Sequence, residues 1–360
     1  MSVGIIGLGT AVPANSVSQA ESCVHAKLYS GANENQSKLL KELYRRTTIF
    51  TRSSVLVHQE DDKKTSVDFF PLPSDVNDKG PTTAERMYRY NLHAANLSAL
   101  ACKAAIADAG IEINQITHLI TVSCTGFAAP GFDLQLLELL SMNRNIYRTH
   151  IGFMGCHGAM NALRVAEGFC AANEQALVLL CATEICSLHF QYGWDTHDLL
   201  ANSLFADGSA AVILSNASGK LRYLASTSFV IPNTEDAITW HISDNGFVMT
   251  LLPQVSDLIQ EYLPELLTDW LKVNSLTFKD IATWAVHPGG PRILNAVQTS
   301  LELPATCLDF SRQILAEHGN MSSPTVFFIL QRLLKSQTVL PCVMLGFGPG
   351  MTIEAALLNR

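Results

Sequence analysis

The chain has 360 residues, 48% of them hydrophobic and only 16% charged, a balance that requires a large buried core and excludes a disordered or coiled-coil chain. Its length suggests roughly two domains or two halves of one large unit, and its net charge of −8 lacks the basic footprint of a nucleic-acid binder. Nine scattered cysteines without a C-x-x-C pair fit a reduced, cytoplasmic chain and not a disulfide scaffold or zinc ribbon.

Residues 3–8 read as a buried strand, 36–46 as a short polar helix, and 58–82, rich in Asp, Lys, Ser and Pro, as a long loop. Thr82 and Glu85 form a capping-box pattern that opens a long helix through Ala109, ended by Gly110. A strand follows at 116–123 and a helix at 133–141. Residues 151–170 read as loop, then helix. Strands return at 176–182, 209–214 and 221–230. A helix at 253–272, a strand at 281–286 and a helix from 291 follow. Another helix starts near Ser323, with Pro324 in its first turn. Strands at 340–346 and 351–358 close the chain. This alternation predicts an α/β protein with largely parallel sheets, in two halves, 1–218 and 219–360, without a residue-level repeat. The N-terminus lacks a basic signal region. Apolar runs such as 176–182 fall far short of the ~18 to 20 residues a membrane-spanning helix needs, so no transmembrane segment is expected.

Several constellations invite chemistry. Gly7-Leu8-Gly9-Thr10-Ala11-Val12-Pro13 begins like a dinucleotide fingerprint, but Pro13 stands near the third glycine and no acidic residue follows; a tight turn after the first strand is the plainer reading. Cys156 sits among Gly152, Gly155 and Gly158 just before a predicted helix, where unpaired N–H groups favour a thiolate. His287 ends an apolar strand before Pro288-Gly289-Gly290-Pro291, at the side of a sheet where α/β proteins bind ligands. Asn320 precedes a helix. Each alone reads as a turn or cap residue; together they make a Cys/His/Asn site plausible. The histidines lack metal-ligand spacing, so no metal is expected. Lys38, Lys41 and Arg45 share one helix face, either a solvated surface or a clamp for phosphates.

Gly155-Cys156, the run HPGGPRIL at 287–294, HGNMSS at 318–323 and GFGPG at 346–350, in this order and spacing, resemble the type III polyketide synthases, the chalcone synthase-like enzymes. The resemblance runs from the first strand to the C-terminus. It implies a thiolase-like, layered αβαβα fold of two related halves and a homodimer. It implies that Cys156 is the nucleophile and acyl carrier, with His287 and Asn320 completing the site. The ion pair of a Cys156 thiolate with a His287 imidazolium is the expected resting state. Phe205 matches the family's gatekeeper Phe, and Met249 stands at its second gatekeeper. Lys38, Lys41 and Arg45 match contacts to coenzyme A phosphates. Gly346, Phe347, Gly348, Pro349 and Gly350 match the turn that shapes the cavity floor.

The cavity wall departs from the plant pattern. Cys124 and Cys186 replace threonines, Trp240 replaces a glycine and fills one lobe, and Ala129-Pro130 replaces a Met-Pro that crosses the dimer. Thr125, Ala129 and Cys186 are small and could open a tunnel for an aliphatic chain; His189 and Ser322 complete the expected wall. The implied reaction loads an acyl-CoA starter, medium or long and aliphatic. It extends the starter with malonyl-CoA and cyclises it to an alkylpyrone or alkylresorcinol. CoA thioesters are substrates, and no resident cofactor is expected. Three rivals remain at this stage: a single-round β-ketoacyl synthase, a papain-type protease and a non-catalytic acyl-binding relative. The Cys/His/Asn set speaks against the last. The mid-chain position of Cys156, with no Trp or Tyr after it, speaks against the second.

Overall fold

The computed structural model describes residues 3–59, 65–217, 219–336 and 340–360. Residues 60–64 of the expected loop and Ser218, at the expected boundary between halves, lie outside the described residues.

The N-terminal half opens with β1 (Val3–Ala11), β2 (Ser16–Ser18), α1 (Gln19–Ser30), α2 (Glu34–Arg46), β3 (Thr51–Ser53), β4 (Val57–Gln59) and β5 (Thr65–Val67). It continues through α3 (Thr83–Ala109), β6 (His118–Ser123), α4 (Phe132–Leu139), β7 (Tyr147–Gly152), α5 (Gly158–Ala172), β8 (Leu177–Ile185), α6 (Thr196–Leu204) and β9 (Asp207–Ser215). The C-terminal half holds β10 (Leu221–Val230), β11 (Ile238–Ser243), β12 (Gly246–Leu251), α7 (Val255–Val273), β13 (Thr283–Val286) and α8 (Pro291–Ser300). It ends with α9 (Asp309–His318), α10 (Thr325–Lys335), β14 (Cys342–Gly348) and β15 (Thr352–Asn359).

Nine strands join in the order β13-β14-β15-β10-β1-β9-β8-β6-β7. Side chains alternate across it, and the alternation sorts the core into layers. On β8, Val178, Leu180 and Ala182 face a central core, while Leu179 and Cys181 face a second core under α3 and α4. On β14, Met344 faces the central core, and Val343 and Leu345 face a third core under α7 and α8. Helices α5 and α10 contribute Leu163 and Phe327 to the central core. The layers therefore run α, β, α, β, α as expected. Strands β6, β8, β9 and β14 are buried on both faces, which explains their continuous apolar runs.

The expectation of largely parallel sheets is corrected. Only β6 with β7, β6 with β8, and β13 with β14 pair in parallel; the remaining neighbours in the large sheet are antiparallel. Strand–helix alternation does not distinguish a parallel neighbour from a strand that returns further along the sheet. The first-turn reading of the N-terminal glycines is also corrected. Gly7 and Gly9 lie inside β1, where an added Cβ would meet Ala105 O at 2.4 Å and Ala105 N at 2.3 Å. Their missing side chains let α3 lie against the strand. The Thr82–Glu85 capping box forms, and Gly110 takes the left-handed conformation at φ 65° that ends α3.

Candidate active site

Two strand ends and two helix starts converge. Strand β6 runs out into Cys124 and Thr125, and β13 runs out into His287, whose backbone N–H donates to Leu345 O at 2.8 Å. Cys156 lies in a 3-10 turn, Gly155–His157, that leads into α5. Asn320 and Ser322 precede α10. Asn320 is tied to the chain beside Phe205: its N–H donates to Leu204 O, and Ala206 N–H donates to its carbonyl, both at 2.9 Å. Ser322 is held in the left-handed region at φ 58°, a strained conformation for serine.

The GFGPG run explains itself sterically. A Cβ on Gly348 would come within 2.2 Å of the His157 ring, and one on Gly346 within 2.9 Å of Met160 Sδ. Gly155, at φ 80°, leaves room for Pro349. The turn thus seats the C-terminal half directly on the loop that carries the nucleophile.

Cys124, Thr125, Cys156, Cys186, Phe205, Trp240, Met249, His287, Asn320, Ser322, Phe347, Gly348 and Pro349 line one pocket of about 720 Å³. Trp240 and Met249 are cross-strand partners on the β11–β12 hairpin, so both face it from the same side. The Trp240 Nε1–H donates to Cys124 O at 2.7 Å. His189 faces an adjoining chamber instead. It is locked by Nε2–H to Thr125 O at 2.7 Å, by Phe247 N–H to its Nδ1 at 3.0 Å, and by stacking on the Phe247 ring.

His287 is buried, and neither ring nitrogen has a hydrogen-bond partner among the described residues. The Asn320 amide is oriented by Ser322 N–H donating to its Oδ1 at 2.8 Å and by its Nδ2–H reaching Gly289 O at 3.3 Å. Ser322 and Asn320 also hydrogen-bond to the Cys156 sulfur and pull its pKa down, but burial outweighs them and, with the charge of Glu184, pushes the thiol up to about 11. Burial, with a smaller contribution from His157, pushes His287 down to about 3. Burial thus opposes both charges of the expected thiolate–imidazolium pair, raising the thiol and lowering the imidazole.

Ala129 is exposed on the loop with the cis Ala129–Pro130 bond and lines neither cavity, so a tunnel past it is not formed within the chain. Lys38, Lys41 and Arg45 are exposed on α2, and Arg45 is paired with Glu42. The groove beside α2, which meets the pocket at Leu251, Gly289 and Ile293, is lined instead by Arg46 and Arg292.

Glu184 escapes the sequence reading. Its buried carboxyl accepts from Cys124 N–H at 2.9 Å, Thr125 Oγ1 at 2.7 Å and Ser323 Oγ at 2.6 Å. Burial nevertheless raises it to about 7. The signal was an acidic residue inside the apolar run of β8, since such residues are almost never buried without partners.

The family profile described as "Chalcone and stilbene synthases, N-terminal domain" matches residues 2–218, and that described as "Chalcone and stilbene synthases, C-terminal domain" matches residues 222–360. A Mycobacterium tuberculosis protein, "Alpha-pyrone synthesis polyketide synthase-like Pks18", is 30% identical over 99% of this chain and 90% of its own length. "Type III polyketide synthase C" of Arabidopsis thaliana is 31% identical over 99% of this chain and 94% of its own. The crystal structure of PKS-I from the brown alga Ectocarpus siliculosus superposes with a TM-score of 0.91 at 29% identity, covering 100% of this chain and 98% of that one.

Proposed function

Because the chain belongs to the chalcone and stilbene synthase family, the type III polyketide synthases, we propose that Cys156, His287 and Asn320 carry an acyl transfer followed by decarboxylative condensation. The observation that carries this reading is the single pocket that a thiol, an unpartnered imidazole and an oriented amide line together.

With burial opposing both charges, His287 serves as a general base. As the acyl-CoA starter docks, the Cys156 proton passes to His287 and the thiolate attacks the thioester carbonyl. The departing CoA thiolate takes the proton back from the imidazolium. Malonyl-CoA enters next and loses CO₂. The resulting enolate oxygen accepts hydrogen bonds from the His287 ring N–H and the Asn320 amide, each donor contributing about 3 to 4 kcal/mol. The enolate carbon attacks the acyl–Cys156 thioester and releases the Cys156 thiolate, leaving a chain two carbons longer on CoA. Phe205 shields the carbanion from water. This chemistry needs CoA thioesters as substrates and no resident cofactor.

The starter is aliphatic and the product an alkylpyrone or alkylresorcinol. Apolar walls at Ile238, Leu251, Ile293 and Phe347 support the first, and the likeness to a protein named for alpha-pyrone synthesis is in keeping with a pyrone. The working unit is a homodimer, supported by β7 at the edge of the sheet, by exposed Phe153 and Met154 directly after it, and by exposed Phe127 packed edge-on against Phe153. Nine free cysteines suit the reducing cytoplasm. Incubation with acyl-CoA and carboxyl-labelled malonyl-CoA tests the reading: labelled CO₂ and a cyclised product are expected, and an enzyme that never releases CO₂ would contradict it.

A further inference from the structure

Behind the catalytic pocket lies a second chamber of about 870 Å³. Cys186, Phe205, Trp240 and Met249 line both spaces and form the partition between them. Trp240 is fixed by its bond to Cys124 O and stands edge-on to Phe205, with ring centroids 6.0 Å apart. Met249, unbranched and rotatable, is the part of the partition that can swing aside.

The chamber's walls are mixed: Arg52, Ser54, Gln191 and Asn202 line it beside apolar side chains, and the Arg52 Nε has no hydrogen-bond partner among the described residues. Leu56, Val57, Phe190 and Phe247 are apolar. Helices α1 and α6, whose residues do not line the catalytic pocket, contribute Ser22, His25 and Asp198. Ser22 is buried, and its Oγ has no hydrogen-bond partner among the described residues; the same holds for the buried Oδ1 of Asp198. Native structures rarely leave such atoms unpaired, because the desolvation cost is not returned. Ser22, His25 and Asp198 are not hydrogen-bonded to one another, so they form no nucleophile–base relay. They are a recognition set without its ligand's polar group.

Resting on the polyketide synthase reading above, we propose that this chamber receives the distal end of the starter acyl chain and selects a chain that carries a hydroxyl group there, read by Ser22 and Asp198. A hydroxyl donates to the carboxylate and accepts from the serine, satisfying both orphaned atoms. A methyl end satisfies neither. A terminal carboxylate or ammonium would have to cross the apolar partition as a charge. Burial and the neighbouring Asp195 raise Asp198 only to about 6, so at neutral pH it remains a carboxylate acceptor.

The test uses the purified full chain and CoA thioesters of saturated chains of graded length, each with and without a terminal hydroxyl. Loading on Cys156 is read by intact mass, and kcat/KM with malonyl-CoA is read in turnover. At the matching length the hydroxylated chain is expected to win by about tenfold or more in kcat/KM. Ser22→Ala and Asp198→Ala are expected to bring that ratio toward one, whereas Asp198→Asn, which keeps an acceptor oxygen, retains part of it. Melting curves check that the variants fold. If they do not, Cys186→Phe at the partition is expected to confine loading to short chains and abolish the hydroxyl preference. Equal kcat/KM for hydroxylated and plain chains at every length would overturn the proposal, as would a preference that survives these substitutions. Failure of every acyl-CoA to load Cys156 would instead overturn the polyketide synthase reading, and this inference with it.

Discussion

The two halves of the molecule share a strand plan and divide the chemistry. From β1 outward the N-terminal half runs β1-β9-β8-β6-β7; from β10 outward the C-terminal half runs β10-β15-β14-β13. In both, the first two pairings are antiparallel and the third is parallel. Strand β6 ends at Cys124 and Thr125 where its counterpart β13 ends at His287. The central helix α5 begins behind Cys156 where its counterpart α10 begins behind Asn320 and Ser322. Equivalent backbone positions thus deliver a nucleophile from one half and a base and an amide from the other. A repeated frame fixes where reactive groups stand; it does not fix what they are.

The largest effects should come from removing the C-terminal half's contribution. His287→Ala is expected to lower both starter loading and malonyl-CoA decarboxylation by about 10²- to 10⁴-fold, because its ring serves both steps, as base in the first and as N–H donor in the second. Asn320→Ala should separate them: decarboxylation falls by about 10²- to 10³-fold, while loading, followed by single-turnover mass spectrometry, falls far less. Equal losses for Asn320→Ala would mean that the halves do not divide the work in this way.

Next in size is the seam between the halves. Gly348→Ala forces a Cβ into the His157 ring and should cost about 1 to 3 kcal/mol of stability. Gly168→Ala in α5, where a Cβ meets nothing within 4 Å, should instead stabilise by about 0.4 to 1 kcal/mol. Paired thermal melts that failed to show opposite signs would break the account of the seam.

The smallest effect concerns Glu184. Alkylation of Cys156 in the free enzyme should keep accelerating above pH 9, toward the thiol's value of about 11. Glu184→Gln removes a negative charge near the sulfur and should move that profile to lower pH. Glu184 itself is raised from 4.5 to about 7, so its contribution to stability is full below 4.5 and is lost as pH rises through about 7. The Gln variant should flatten stability across that window. An alkylation rate already level at neutral pH would indicate a resting ion pair instead.

Eight of the nine strands of the large sheet were legible, most because burial on both faces writes continuous apolar runs, while β7, largely exposed at the sheet's edge and without an apolar run, was missed; α3 was legible because its caps are explicit in Thr82, Glu85 and Gly110. Helix α1 was not, because its buried residues are Gln19, Ser22 and Ala26; a face closed by polar and small residues leaves no apolar stripe. The β11–β12 hairpin was missed although Asp244-Asn245-Gly246 is a turn signal between its strands. That hairpin carries Trp240 and Met249, so the partition between the chambers was invisible as a unit. The triad residues were legible through their motifs, but the surroundings of the Cys156 sulfur were not. A helix start argues for a thiolate, and only the fold shows the burial that opposes one.

The central claim is that one sulfur, of the three in the pocket, carries the acyl chain. Peptide mapping after brief incubation with an acyl-CoA tests it directly, since Cys124, Cys156 and Cys186 all line the same space. The account predicts a single acyl adduct on the Cys156 peptide, discharged on adding malonyl-CoA and absent from Cys156→Ala. An adduct on Cys124 or Cys186, or one that persists in the Cys156→Ala variant, would contradict it.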